Sequence, residues 1–264
     1  MRLKRFAAPV LLLCVSALAA RVGAAGGPDL RIAAASDLQA ALPSLVEAFE
    51  RESRRSVTVS FGSSGNFFSQ IQNGAPFDIF LSADIDYPKQ LESARLAEPG
   101  TLYSYATGSI VLWTRHGSGV EVQKGLEALS SAGVRRVAIA NPAHAPYGRA
   151  AVAALQGVRI YDQVRTKLVL GENVSQAAQF VQSGNADAGI IPLSLASSPA
   201  LTAAGQYAAI SASLYPPIEQ AAVVVRASQH KDAARAFLAY LKRADVVKAL
   251  AAAGFGPPLA RTAS

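Results

Sequence analysis

Past Asp29 the chain alternates between short apolar runs of strand length and stretches whose apolar residues recur at helical spacing. A succession of buried strands with a helix after most of them calls for a mostly parallel sheet with helices packed on its faces, an α/β architecture. The strand runs lie at 30–35, 57–61, 78–82, 110–114, 136–140, 167–170, 188–191 and 221–226. Between them Leu38, Leu42, Leu45 and Phe49 mark a helix with Ser36 as its expected cap, and Pro43 requires that helix to kink or to start later. Ser64 is the expected cap of a short helix carrying Phe67, Phe68 and Ile71 and stopping at Gly74. A third helix opens at Pro146, whose fixed φ suits a first helical position. Asn173 caps a fourth, with Gln176 in the capping-box position and Val174, Ala177, Ala178 and Val181 as its inner stripe. Two closing helices carry Ala234, Phe237, Leu238 and Leu241, then Val246, Val247 and Leu250, and end at Gly254.

The 264 residues hold no internal repeat, low-complexity tract or flexible linker. That length suits one large domain or two lobes. Two lobes without a linker must be joined by strands that cross between them. The expected crossings are Tyr105 to Thr114 outward and Pro217 to Arg226 back, dividing the chain into 25–106 with 221–264, and 107–220. Trp113, close to the outward crossing, is the expected optical reporter of any hinge motion.

The first residues have a different character. Arg2, Lys4 and Arg5 precede an apolar run over 6–20, and small-residue cleavage sites follow at Ala17-Leu-Ala19 and Val22-Gly-Ala24. A basic start, a short apolar segment and small residues at the cut describe a secretory signal peptide over 1–24, removed on export to the periplasm. The run is short for a membrane span of about 20 residues. The bulky Leu12-Leu13 before Cys14 argue against a lipoprotein signal.

Composition then excludes several classes. Apolar residues make up 51% and charged ones 16%, which is not the composition of a disordered chain. The net charge of +7 looks like a nucleic-acid or membrane signal. Removing Arg2, Lys4, Arg5 and Arg21 with the leader takes 25 basic residues to 21 against 18 acidic ones, a net charge of +3. No nucleic-acid partner is called for. Cys14 is the only cysteine and leaves too, so neither a disulfide framework nor a cysteine zinc site is available.

The familiar catalytic signatures are missing. His116, His144 and His230 lack metal-ligand spacing. Gly62-Ser-Ser-Gly65 has the wrong spacing for a nucleophile elbow, and there is no phosphate loop or dinucleotide fingerprint. Tyr103 and Tyr105 can share one face of a strand, as in an iron site, but packing explains them as well. The residues support no enzyme and no cofactor.

Four junctions share a chemistry instead: Ala35-Ser-Asp-Leu38, Gly62-Ser-Ser-Gly-Asn66, Ala145-Pro-Tyr-Gly148 and Glu172-Asn-Val-Ser175. Each is built of small or hydroxyl residues where a strand gives way to a helix. A helix N-terminus offers unpaired N–H groups and a partial positive charge, so it receives anions without a basic side chain. In α/β folds such turns converge outside the carboxyl ends of the strands. Each junction alone is also an ordinary helix start. Only Arg149 brings a full positive charge near them.

These segments resemble the periplasmic molybdate-binding proteins of ABC transporters, members of the type II periplasmic solute-binding proteins. The resemblance rests on Ala33-Ala-Ala-Ser-Asp-Leu38, Ser60-Phe-Gly-Ser-Ser-Gly-Asn66, Asn73-Gly-Ala-Pro-Phe-Asp-Ile-Phe-Leu-Ser-Ala-Asp84, Asn141-Pro-Ala-His-Ala-Pro-Tyr-Gly148 and the Gly254 ending. It implies two α/β lobes, each a mostly parallel sheet flanked by helices, joined by a two-strand hinge and closing on one tetrahedral oxyanion. It also implies ligand contacts at Ser36, Asp37, Ser64, Tyr147 and Val174, the last two through backbone N–H. The ligand would be molybdate or tungstate, with molybdenum held only inside the oxyanion and no protein ligand to a metal cation. The partner would be a membrane permease, touched transiently by a monomeric receptor.

Two positions depart from the family pattern. Pro192 stands where some members have a ligand-contacting tyrosine, and Asp37 puts a carboxylate beside an expected dianion. The Asp37 side chain is expected to turn away and cap a neighbouring helix, leaving its N–H for the anion. Two other readings remain open: a receptor for sulfate, thiosulfate or phosphate, and a secreted hydrolase with Ser64 or Ser36 as nucleophile.

Overall fold

The structure, a computed structural model, describes residues 29–259. The expected leader, 1–24, with Cys14, lies outside the described residues. The elements run β1 (Leu30–Ala35), α1 (Leu42–Ser53), β2 (Val57–Gly62), α2 (Ser64–Gln72), β3 (Ile79–Ser82), α3 (Asp86–Ser93), β4 (Tyr103–Gly108), β5 (Ile110–Arg115) and β6 (Val137–Ala140). They continue α4 (Pro146–Gly157), α5 (Tyr161–Val164), β7 (Leu168–Gly171), α6 (Val174–Gln182), β8 (Ala188–Pro192), α7 (Leu193–Ala196) and α8 (Pro199–Ala204). β9 (Gly205–Ala209), β10 (Ile218–Val224), α9 (Lys231–Leu241) and α10 (Ala244–Ala252) complete the series.

The strands form two sheets of five, ordered β2-β1-β3-β10-β4 and β7-β6-β8-β5-β9. In the first, only β10 runs against the rest, lying antiparallel to both β3 and β4. In the second, β5 holds the same place between β8 and β9. Each sheet is therefore mixed in pairing yet mostly parallel in strand direction. The chain leaves the first sheet at Gly108 and enters the second at Ile110, so only Ser109 separates them. It returns between β9 and β10.

Alternation along the strands decides which face each side chain covers. Ile32, Ala34, Ile79, Leu81, Ala222 and Val224 pack with α1, α9 and α10, where Phe49 meets Phe237 edge-on at 5.0 Å. Ala33, Phe80 and Val223 point the other way and pack with Phe67 and Ile71 of α2 and Leu91 of α3. The second sheet has its own core, built on Ile110, Leu112, Trp113, Val137, Ile139 and Ile190 with α4 and α6. Burying a side chain of this size contributes about 1.5–3 kcal/mol.

Two helix starts differ from expectation. Ser36 does not cap α1: Ser36–Leu38 forms a separate 3-10 turn, and α1 begins at Leu42 with Pro43 in its first turn. Proline is welcome there because that N–H has no partner in the helix. Ser64 is the first residue of α2 rather than its cap, a position taken by Ser63. α3 and β9 were not expected from the sequence. α3 buries only Pro88 and Leu91, too little for an apolar stripe. β9 is an edge strand, half exposed, opening on a glycine. Among the described residues no helix is long and apolar enough to cross a membrane.

Candidate functional site

All four junctions meet. Ala35, Ser36 and Asp37 follow β1; Gly62, Ser63 and Ser64 follow β2; Ala145, Pro146 and Tyr147 open α4; Asn173 and Val174 open α6. Together with Ala83, just beyond β3, they line one small cavity of about 10 Å³ between the two sheets. Ser36, Asp37, Ser64, Tyr147 and Val174, the five residues singled out from the sequence, all lie on its wall and are buried. Ala83 was missed as a site residue, although it stands in the Asn73 to Asp84 block.

Three helices, α2, α4 and α6, present their N-termini to this cavity. The first N–H groups of a helix have no partner in its own ladder. At α6 the Asn173 side chain takes the N–H of Gln176 at 3.1 Å, as the capping pattern requires. The Gln176 side chain reaches back to the N–H of Glu172 at 2.6 Å, one residue earlier than a standard capping box. Val174, at the first position of the helix, lines the cavity, and an N–H at that position has no partner in the helix ladder. At Ser64 the hydroxyl oxygen accepts the Ala83 N–H at 2.9 Å, which leaves its own proton free to donate. The Ser36 hydroxyl donates to the Gly62 carbonyl at 3.0 Å.

The Asp37 side chain caps no helix. It lies wholly buried and turns toward two donors, the Tyr147 hydroxyl at 2.9 Å and the Gln220 amide, both on its Oδ2. Gln220 also donates to the Tyr147 oxygen at 2.8 Å and accepts from the Tyr105 hydroxyl at 2.7 Å. Burial pushes the Asp37 carboxyl up to about 6, although the hydrogen bonds from Gln220 and Tyr147 pull the other way. Burial, with the Asp37 charge added, holds the Tyr147 and Tyr105 hydroxyls well above their usual range, so both remain donors.

Sequence reading missed Gln220, and one signal for it exists: an amide at the start of the apolar run Ala221–Val224, beside Glu219. A β-bulge between Gln220 and Ala221 shifts the β10 register against β4 at this residue. Gly108 supplies the complementary space, since a Cβ there would sit 2.1 Å from the Tyr147 hydroxyl. Pro192 ends β8, and two residues later the Ser194 hydroxyl donates to the Asp37 carbonyl at 2.8 Å.

Among the described residues no basic side chain lines the cavity. Arg149 is turned aside, paired with Asp84 and stacked over Tyr87 at 5.6 Å. Burial keeps the Asp84 carboxyl above its usual value even so. His144 comes from the second lobe to the first: its carbonyl accepts the Gly65 N–H at 2.9 Å and its Nδ1 meets the Ser63 hydroxyl at 2.8 Å. It makes no hydrogen bond to Ser64 or Ser36, the serines weighed as nucleophiles. Tyr103 faces Lys242, 4.9 Å from its ring, apart from buried Tyr105. Among the described residues no group of three or more histidine, aspartate, glutamate or cysteine side chains is placed to hold a metal ion.

The chain matches the bacterial extracellular solute-binding protein family over residues 30–256. It is 36% identical to the molybdate-binding protein ModA of Azotobacter vinelandii, over 88% of this chain and 92% of that one. It is also 36% identical to ModA of Rhodobacter capsulatus, over 78% and 80% respectively. The solved periplasmic molybdate-binding protein of Azotobacter vinelandii superposes with a TM-score of 0.81 at 33% identity, covering 87% of this chain and all of that one. Fold, cavity and sequence thus agree, and the chain belongs to the bacterial extracellular solute-binding proteins, among the relatives of the periplasmic molybdate-binding proteins.

Proposed function

We propose that the protein is an extracytoplasmic receptor that binds molybdate, with tungstate as a near-equal ligand, and delivers it to an ABC-type membrane permease. The observation that carries this reading is the convergence of three helix N-termini and the free Ser64 hydroxyl on one cavity with no basic side chain in its wall among the described residues. Such a wall neutralises a dianion with dipoles and hydrogen bonds alone. The contacts would come from Ser36, Asp37, Ser64 and the backbone N–H of Tyr147 and Val174. Relatives named as molybdate-binding proteins support the choice of ion.

In this reading the protein works as a monomer in the periplasm, without a cofactor and without catalysis, after loss of residues 1–24. One lobe carries the first sheet, 29–108 with 218–259, and the other carries the second, 109–217; both crossings fall within a few residues of the divisions expected at 106/107 and 220/221. They close about the two crossings, and the closed pair is what the permease meets. A fixed ring of donors selects by size, favouring a larger oxyanion than sulfate.

Calorimetry against molybdate, tungstate, sulfate and phosphate tests the proposal. Saturable one-to-one heats are expected for the first two. Silence with molybdate and saturation with phosphate would overturn it in favour of the runner-up, which one observation favours: an ionised Asp37 Oδ1 can accept the proton of hydrogen phosphate.

A further inference from the structure

Asp37 carries a wall position of the cavity, and its two carboxyl oxygens are treated differently. Oδ2 receives both neighbouring donors, Tyr147 and Gln220. Oδ1 is buried and has no partner within hydrogen-bond geometry among the described residues; the N–H groups of Asp37 and Leu38 stand near the carboxyl and favour its charge only weakly against burial. An ionised carboxylate with one oxygen buried and unpaired is costly. A dianion entering the same cavity adds like-charge repulsion at short range and low dielectric.

Nothing packed around Asp37 offsets that repulsion with a positive charge. α6 brings Ser175, α7 brings Ser194 and β2 brings Gly62 against the turn that holds it. The titratable groups facing it are Tyr147 from α4 and, through Gln220 of β10, Tyr105 of β4, both neutral hydroxyls. The basic residue nearest the junctions, Arg149, is committed to Asp84.

We propose that the site takes up one proton with its oxyanion, and that the proton resides on Asp37 Oδ1, turning the carboxyl from a repelling acceptor into a hydrogen-bond donor to the anion. The proposal rests on the oxyanion reading above and deepens it: the species bound is the dianion plus a proton, not the dianion alone. The proton comes from solvent as the cleft closes and returns there on release. Oδ1 is the atom that carries it, because Oδ2 already accepts two hydrogen bonds. The consequence is a receptor that binds more tightly as its compartment acidifies.

The test is calorimetry with molybdate at a series of pH values, each in two buffers of different ionisation enthalpy, which counts the protons exchanged. Near pH 8 the wild type is expected to take up about one proton per molybdate and to lose about tenfold in affinity per pH unit. Near pH 5, where the free protein already holds the proton, uptake is expected to fall toward zero. Asp37→Asn places an amide donor at the Oδ1 position and is expected to bind without proton uptake and with a flat pH profile. Saturable molybdate binding with no uptake at pH 8, or the same uptake in the Asn variant, overturns the proposal while leaving the receptor reading intact. No saturable molybdate binding at any pH overturns the receptor reading itself. The wild-type count stands whether or not the variant folds, and a thermal melt of the variant reports its folding.

Discussion

Asp37 also bears on stability, and the sign follows from its environment. Its carboxyl sits at about 6 in the folded protein against an ordinary 3.8, because burial disfavours the charge. Between those values the folded state holds a proton that the unfolded state has released. Stability is therefore greatest below that window and falls as pH rises through it, by on the order of 3 kcal/mol in total. Asp37→Asn keeps an acceptor for Tyr147 and Gln220 and removes the ionisation. Its urea midpoint is expected to vary less than that of the wild type between pH 4 and 7 and to exceed it at neutral pH; parallel curves for the two proteins would sink the assignment. The sequence exposed Asp37 as an odd residue for an anion site. It hid the orientation, because the two groups that turn the carboxyl are Tyr147 and Gln220, 110 and 183 residues away along the chain. No local pattern encodes a partner at that distance.

Helix starts were legible where the cap is local and lost where the tertiary structure intervenes. Asn173 and Gln176 act within one turn of α6, so their roles could be read from spacing alone. Ser36 looked equally like a cap, but the neighbouring strand offers the Gly62 carbonyl and Pro43 fits a start at Leu42. Ser64 likewise spends its hydroxyl oxygen on Ala83, a residue of a different connection. Asn173→Ala tests the local case. Removal of the cap is expected to lower stability by about 1 kcal/mol, seen as a shifted urea midpoint with an unchanged slope. Because Asn173 and Val174 of the same turn line the cavity, molybdate affinity should fall as well. A variant as stable as the wild type would mean that the Asn173 hydrogen bond is replaced by water without loss.

At the scale of the molecule, the sequence conveyed that strands must cross between two lobes but not how abruptly. The run around residues 103–115 reads as one continuous extended segment, yet Gly108 and Ile110 belong to different sheets. That brevity corrects the expectation for Trp113. It lies at the centre of β5, fully buried in the core of the second lobe and against Gly205, not at the crossing. Its emission should therefore shift little when molybdate binds and strongly when the protein unfolds. A handle on closure is found instead at Gly65, where the first lobe touches the second. A Cβ at this position would lie 2.6 Å from the Tyr87 hydroxyl and 2.7 Å from the His144 carbonyl across the cleft. Alanine in the first turn of α2 favours the helix over glycine by about 1 kcal/mol, so the fold of the first lobe is not threatened. The Tyr87 hydroxyl belongs to α3 of the same lobe and is the free end of a side chain that can turn aside, so the clash that remains is with the His144 backbone, where the Gly65 N–H meets its carbonyl at 2.9 Å. Gly65→Ala is expected to act as a wedge: the closed population drops, and apparent affinity falls in proportion to the fraction still able to close. Small-angle scattering with saturating molybdate should give a larger radius of gyration than the wild type, with at least a tenfold weaker dissociation constant and a thermal midpoint within a few degrees. Identical scattering and affinity would show that the lobes absorb a methyl group at this contact without opening, and that closure is set elsewhere, by the buried Tyr147–Asp37–Gln220 network.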